Sequence, residues 1–551
     1  MSGSITLENR FGVNKMELIS LKYAIFVIVL LVLYYCFPKK YRWYVLLAGS
    51  MAYYVIICKW YVLFIIFTIC TTYGSTIWID KLLKKQNAIV KSHKEDWDRQ
   101  TRKDYKEKGR KKRVAVMLFA LLCNFGILAF LKYIPYAGEL GLLLPLGISF
   151  YTFQSMGYVM DVYREIVEPE KNFLKVALFV SFFPQIIQGP IAIYDKLAGQ
   201  LYEGHSLRLE NLQKGALLVL WGVMKKLVIA DRAVNIINFV MDKPMDFSGT
   251  YVFFAAVVYA LQLYADFSGG IDIVRGIAEM FGITMSTNFN HPYFSRSLTE
   301  YWHRWHMTLG DWCRNYIFYP LSISKRFLNF GKWLKPRFGA HISKVLPGCI
   351  ASVITFIVIG VWHGANMKYL YFGLWNGIVI MLAELFAPVS KKVAGGFFKL
   401  TGLREKGIFA TIVSVIWTFM LILVGYYFDI AANASTAFHM LFKSVTDFHI
   451  SELGINNIIL NLGACGLDEY DILLLIICTL LWFFISFVEE NKKLDMRDFI
   501  LSRKLPLRWA IIYLGIFIVI IFGYYGPGVN PADFVSVSYT HLRAHETGRN
   551  L

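Results

Sequence analysis

Two histidines set among aromatic residues are the side chains of this 551-residue chain best suited to chemistry. His306 lies in YWHRWHMTLGDWCRNYIFYP (Tyr301 to Pro320), and His363 lies in GVWHGAN (Gly360 to Asn366). A neutral imidazole, with an unperturbed pKa near about 6.5, can take a proton from a hydroxyl at neutral pH. In the first segment Trp302, Trp305, Leu309, Trp312 and Tyr316 recur at spacings of three and four, which predicts one helix with an aromatic stripe. His306 falls on the edge of that stripe beside Trp302, Leu309 and Cys313, His303 on its polar border, and Arg304, Asp311 and Arg314 face away. An interfacial helix anchored by its Trp and Arg side chains accounts for all of these but His306. His363 ends an apolar run, between Trp362 and Gly364, where an ionisable group is costly and therefore a functional candidate. A structural histidine bonded to nearby backbone is the alternative there. Gly360 and Gly364 permit close approach of another helix or of a substrate chain.

Two further segments qualify. YADFSGGID (Tyr264 to Asp272) places Asp266, Ser268 and Asp272 beside a Ser-Gly-Gly break at the end of a span, where a helix C-cap with solvated acids is the plain alternative. FFPQIIQGP (Phe182 to Pro190) puts Gln185 between two prolines within an apolar run; backbone freed in this way persists in a bilayer only when protein or a water-filled cavity surrounds it. A re-entrant loop lining a tunnel fits that requirement. His303 and His306 have a spacing compatible with a metal, but no HExxH motif and no Cys or carboxylate cluster supplies further ligands, so no metal is expected. Neither GxSxG, nor a Cys-centred signature, nor a GxxxxGK loop is present. Acid or base chemistry by histidine remains, with no bound cofactor expected.

The elements that must position these residues are membrane helices. The chain is 56% hydrophobic and 17% charged, against about 25% charged in a soluble domain. Runs long enough to cross a bilayer lie at 18–37, 43–57, 61–79, 114–131, 251–267, 346–362, 369–386, 408–428, 472–488 and 509–525. Three more, at 140–162, 173–193 and 216–229, are broken by Pro, Gly or Lys. Roughly a dozen membrane-embedded segments are therefore expected, some re-entrant. The net charge of +19 is concentrated between Lys81 and Arg113, where 14 Lys and Arg face five acids between two spans. The positive-inside rule makes this loop cytoplasmic, which accounts for the charge without nucleic acid. Lys39, Lys40 and Arg42 fall on the same side, leaving the N-terminus outside.

No repeat relates the two halves, which weakens a transporter assignment. The eight cysteines are scattered without a CxxC pair and read as small core residues. A mixed-charge insertion at 195–214 reads as an interfacial helix, and the longest polar insertion, 270–345, carries the His306 segment. Residues 1–15 are polar and precede a second methionine, Met16, the expected native start; 535–551 turn abruptly polar and are expected to be foreign to the protein.

Five ordered segments together resemble the membrane-bound O-acyltransferase family, in its alginate O-acetyltransferase branch: LPLGISFYTFQSMGYVMDVYR from Leu144, FFPQIIQGPI from Phe182, YADFSGGIDI from Tyr264, NFNHPYFSRSLTEYWHRWHMTLGDWCRNYIFYPL from Asn288 and GVWHGAN from Gly360. The family's Arg-Trp-His and Trp-His-Gly histidines fall on His306 and His363, and not on His303. Asn315 stands where relatives often have Asp, and Asn376 where many have His.

The resemblance implies an all-α, polytopic transmembrane helical bundle with re-entrant segments and a central tunnel, formed by residues 16–534. It implies a cytoplasmic thioester donor, acyl-CoA or an acyl carrier protein, and a hydroxyl acceptor on a cell-surface polysaccharide. His363 is then the general base, and His306 orients the donor or protonates the leaving thiolate. Trp305, Trp362, Gly364, Asn366, Asp266, Ser268, Arg304 and Gln185 are expected to line the substrate path. A bacterial cytoplasmic membrane and an extracytoplasmic SGNH-type acyltransferase partner are further implications. D-alanyl transfer to teichoic acid and transport without chemistry are the rival expectations.

Overall fold

A computed structural model describes residues 18–134, 144–402, 407–454 and 463–525, together with 142, 404, 457 and 458. The expected extension 1–15, the start at Met16 and the tail 535–551 lie outside the described residues. Every regular element among the described residues is helical. In lipid, a helix satisfies its own backbone polar groups, which an isolated strand cannot do.

Seven helical stretches among the described residues are long and apolar enough to cross a membrane, or eight if one bent pair counts as a span. The expected segments 43–57 and 61–79 join through a 3-10 turn into one stretch, Lys39–Ser92. The bent pair, Met367–Leu385 with Ala387–Thr401, turns by 65° as a broken or re-entrant span does. Leu21–Cys36 and Phe173–Gln188 are shorter apolar helices.

Contacts divide the chain into two units, residues 1–219 with 271–286, and residues 220–270 with 287–551. The first holds α1 (Leu21–Cys36), α2 (Arg42–Cys58), α3 (Val62–Ser92), α4 (Arg99–Tyr133), α5 (Ile148–Tyr163), α6 (Phe173–Ser181), α7 (Phe183–Gln188) and α8 (Tyr194–Tyr202). Helix α9 (Leu209–Met224) contributes to both units. Helices α3 and α4 form a hairpin whose connecting end is the basic segment. Its apolar parts pack through small polar residues: Thr68, Thr72, Ser75 and Thr76 are buried, and Asn124 donates to Thr71 Oγ1 at 3.0 Å. Helix α5 is buried on nearly every face, and its N-cap Gly147 needs φ 69° with Ile186 O where a Cβ would stand.

The proline segment behaves as its backbone demands. A bend at Phe182 separates α6 from α7, and Phe183 N–H donates to Ser50 Oγ at 3.1 Å in place of a helical carbonyl. Phe182, Phe183, Gln185 and Gln188 are all buried in protein.

In the second unit a π-turn, Lys225–Ala230, leads into α10 (Asp231–Met241), followed by α11 (Gly249–Met280), whose last turns belong to the first unit. Next come α12 (Leu298–Arg304), α13 (Met307–Cys313), α14 (Lys325–His363), α15 (Met367–Leu385), α16 (Ala387–Thr401), α17 (Ile408–Ile430) and α18 (Ala434–Thr446). Helices α19 (Glu469–Lys492), α20 (Met496–Leu501) and α21 (Leu505–Phe522) complete it. The expected span 346–362 lies in the C-terminal part of α14, which kinks at Gly339, φ 81°. Helices α14 and α15 pack with their backbones nearly touching: a Cβ on Gly360 would meet Tyr369 O at 2.3 Å, and one on Gly373 would meet Phe356 O at 2.3 Å. No residue of α21 is buried, so its apolar surface is left for lipid.

Candidate functional site

The single helix expected over 301–320 is broken in the structure. Helix α12 ends at Arg304, Trp305 is its C-cap, and His306 is the N-cap of α13 in the left-handed region, φ 45° and ψ 51°. A helical wheel drawn through the segment therefore misplaces the imidazole, although the distinction it makes holds: His306 is buried, 5% exposed, and His303 is exposed. The break is held by the extended segment before α12, for Met307 N–H donates to Asn288 O at 2.9 Å and Asn290 N–H to Arg304 O at 3.0 Å. Such conformations cost of order 1–3 kcal/mol for a non-glycine residue and persist only where the surroundings impose them.

The His306 ring meets Phe267 of α11 edge-on, with centroids 4.9 Å apart. Its Nδ1 lies 3.2 Å from Asn288 Oδ1, and its Nε2 is buried without a hydrogen-bond partner. His306 stands outside the spanning helices, and there burial, with the nearby His363 acting second, pushes its imidazole down to about 3. Trp362 lies beside both histidines, its ring 6.5 Å from that of His306 and 5.0 Å from that of His363. His363, the last residue of α14, is half-buried and packs on Tyr369 and Phe372 of α15 at 6.0 and 5.5 Å. One imidazole is thus sealed among aromatic rings and the other is accessible at the end of a span.

The other expected site residues have distinct places. Trp305 is buried in an aromatic cluster with Phe289, Tyr301 and Tyr264, at 5.0, 5.7 and 5.9 Å. Gly364 is buried and caps α14, whereas Asn366 is exposed and caps α15 by accepting from Lys368 N–H at 3.0 Å. Arg304 is clamped by Glu300 at 2.7 Å and Glu490 at 3.0 Å, an anchoring role for α12. Asn376 is also structural: it accepts from Trp302 Nε1 at 3.0 Å and donates to Phe372 O at 2.8 Å. Gln185 belongs to the other unit, where it donates to Gln154 Oε1 at 2.5 Å.

The expected helix end at Ser-Gly-Gly is not there. Asp266 and Ser268 lie within the continuous helix α11, buried, and the glycines serve close approach, with Gly222 O 2.8 Å from where a Cβ of Gly269 would be. Asp266 is 0% exposed and pairs with Lys226 at 2.6 Å; Lys226 also reaches Asp231 at 2.8 Å. Lys225 donates to Ser268 Oγ at 2.9 Å. These acids are members of a buried charge network, and the two lysines break the apolar run 216–229, which was the available signal for them. A second network unforeseen from sequence joins Tyr259, whose hydroxyl donates to Asp429 Oδ2 at 2.7 Å, to Lys368, which donates to the carbonyls of Asp429 and Ala431 at 2.8 and 2.7 Å. Among the described residues no three His, Cys, Asp or Glu side chains gather as metal ligands.

Comparison with known proteins adds to this geometry. The sequence model of the membrane-bound O-acyltransferase family matches residues 169–335, a stretch that includes His306 and stops short of His363. The chain is 30% identical over 315 residues to "Probable alginate O-acetylase AlgI" of Pseudomonas syringae pv. tomato, covering 56% of this chain and 54% of that protein. It is 30% identical over 314 residues to the peptidoglycan O-acetyltransferase of Helicobacter pylori, covering 50% and 56%. With the teichoic acid D-alanyltransferase of Bacillus subtilis it shares 26% over 288 residues, covering 51% and 67%. The chain thus spans just over half the length of the first two of these relatives. Multiple membrane helices, two histidines flanking a tryptophan and these matches lead to one conclusion: the chain is a multi-pass membrane protein that carries, over residues 169–335, a match to the membrane-bound O-acyltransferase family.

Proposed function

We propose that this protein is a bacterial membrane O-acyltransferase that moves an acetyl group from a thioester donor, presented at the cytoplasmic face, to hydroxyls of a cell-surface polysaccharide. The observation that carries the proposal is the histidine pair: an accessible His363 at the end of a span and a buried His306, with Trp362 beside both. His363 accepts the proton of the incoming hydroxyl as its oxygen attacks the thioester carbonyl. The C–O bond forms, the C–S bond breaks, and the proton passes from the imidazolium to the departing thiolate. General base assistance of this kind contributes roughly 100- to 10,000-fold. Oxygen esters are more stable than thioesters, so the step requires no nucleotide. Acyl-CoA or an acyl carrier protein supplies the thioester, a tunnel joins donor to acceptor, and an extracytoplasmic acyltransferase of the SGNH type acts as partner. Relatives named for O-acetylation of alginate and of peptidoglycan support the acetyl group.

D-alanyl transfer to teichoic acid is the second candidate, favoured by the relative of that name. Labelled acetyl and D-alanyl thioesters, offered to membranes containing the protein, separate the two. Label in polysaccharide ester supports the proposal, label in teichoic acid supports the second candidate, and passage of acceptor with no covalent label overturns both.

A further inference from the structure

We infer that Asn288 is a positioning residue that holds His306 as the tautomer protonated at Nδ1, leaving Nε2 as a buried acceptor for a hydroxyl of the acyl-accepting substrate next to the one that attacks. The inference rests on the acyltransfer proposal for the identity of the ligand, but not for the tautomer. Asn288 is 0% exposed. Its Oδ1 receives the backbone N–H of Thr308 at 3.1 Å and the Thr308 hydroxyl at 2.8 Å. A backbone N–H can only donate, so the amide atom facing it is the oxygen, and the orientation of the carboxamide is settled by chemistry. The same oxygen lies 3.2 Å from His306 Nδ1. Carrying no proton itself, it pairs with Nδ1 only when that nitrogen is protonated, and a neutral ring then has its lone pair on Nε2.

The backbone reinforces this. Asn288 O also receives Met307 N–H at 2.9 Å, so one residue grips both the ring and the peptide that follows it while His306 keeps a left-handed conformation. Such double anchoring leaves the imidazole little freedom to turn and exchange its two nitrogens. Nε2 is buried without a hydrogen-bond partner, and so is Asn288 Nδ2. Buried polar atoms are ordinarily satisfied, and two unsatisfied ones of opposite character, one acceptor and one donor, at one site call for a ligand group. Among the groups of a polysaccharide acceptor, a hydroxyl both donates and accepts. The attacking hydroxyl gives its one proton to His363, which passes it to the thiolate, so the bare Nε2 of His306 accepts from a neighbouring hydroxyl of the same acceptor and orients it.

The experiment is 15N NMR of the full chain in lipid nanodiscs with labelled histidine, His306 being assigned by difference from His306→Gln, alongside acyl transfer kinetics. The expected wild-type spectrum has a protonated Nδ1 and an unprotonated Nε2 for His306. Asn288→Ala should mix the tautomers and lower kcat on the order of 10- to 100-fold, as loss of an imidazole's orienting partner does. Asn288→Asp, which keeps an acceptor oxygen, should restore the Nδ1-protonated form. A protonated Nε2 in the wild type overturns the inference whether or not acyl transfer is observed, and so does Asn288→Ala with the wild-type tautomer and rate. Absence of acyl transfer by the wild type would remove the acyltransfer proposal, and the spectrum would still decide the tautomer.

Discussion

At the scale of the residue, the low basicity of His306 has a consequence for stability. Its folded pKa, about 3, lies below the value of about 6.5 expected in the unfolded chain, so on acidification the unfolded state binds the proton first. The contribution of the neutral ring is complete above about pH 6.5 and is lost as pH falls from there toward 3. Thermal unfolding in detergent should therefore show the wild type losing stability more steeply than His306→Gln between those limits; equal slopes would contradict the burial of the ring. Both histidines were legible in the sequence because an ionisable residue beside tryptophans and glycines is hard to assign to packing. Asn288 was not, because the residue that orients His306 is 18 positions distant and joins it only through the left-handed break between α12 and α13. Periodicity favours a continuous helix there, and tertiary hydrogen bonds from 288 and 290 override it.

At the scale of the element, the position of His363 depends on how closely α14 and α15 approach. Gly373→Val would set a side chain against Phe356 O and should cost about 1–3 kcal/mol, read as a lower unfolding temperature with a parallel loss of transfer activity. An unchanged unfolding temperature would show that the helices have room to part. The Lys226 network should answer differently. Lys226→Met leaves the Asp231 and Asp266 carboxylates buried without their cation, at a cost of roughly 3–5 kcal/mol. Lys226→Met combined with Asp266→Leu should recover part of that loss, and no recovery in the double variant would mean that the pair is not coupled. Gly360 as a contact for another helix was readable from its place in an apolar run. The glycines after Ser268 were misread as a helix end, because a glycine pair signals a turn and a close helix contact equally well and only the partner, Gly222, decides.

At the scale of the whole molecule, the class follows from composition, since a chain with this share of apolar residues and 17% charge is a multi-pass membrane protein built of helices. The expected spans from 114 onward each coincide with a helix, those at 369–386 and 509–525 running one and three residues past its end. The larger expected total of embedded segments arose because segments such as 173–193 and 216–229 are as apolar as spans but are divided into short helices by Phe182 and by the π-turn at Lys225. Composition within a window does not reveal whether apolar residues face lipid or protein. We propose that the basic segment Lys81 to Arg113, carried by the facing ends of α3 and α4, faces the cytoplasm. In a cysteine-free background, Lys111→Cys should resist a membrane-impermeant maleimide in intact cells and react after permeabilisation; labelling in intact cells would reverse the topology.

In the proposed reaction His363 is the group that takes the alcohol's proton. Its most direct test is transfer of labelled acetyl from thioester to polysaccharide by the full chain and by His363→Ala, at matched expression and unfolding temperature. A fall of about 100-fold or more in the variant, with unfolding unchanged, is the predicted result. Transfer at the wild-type rate would contradict it.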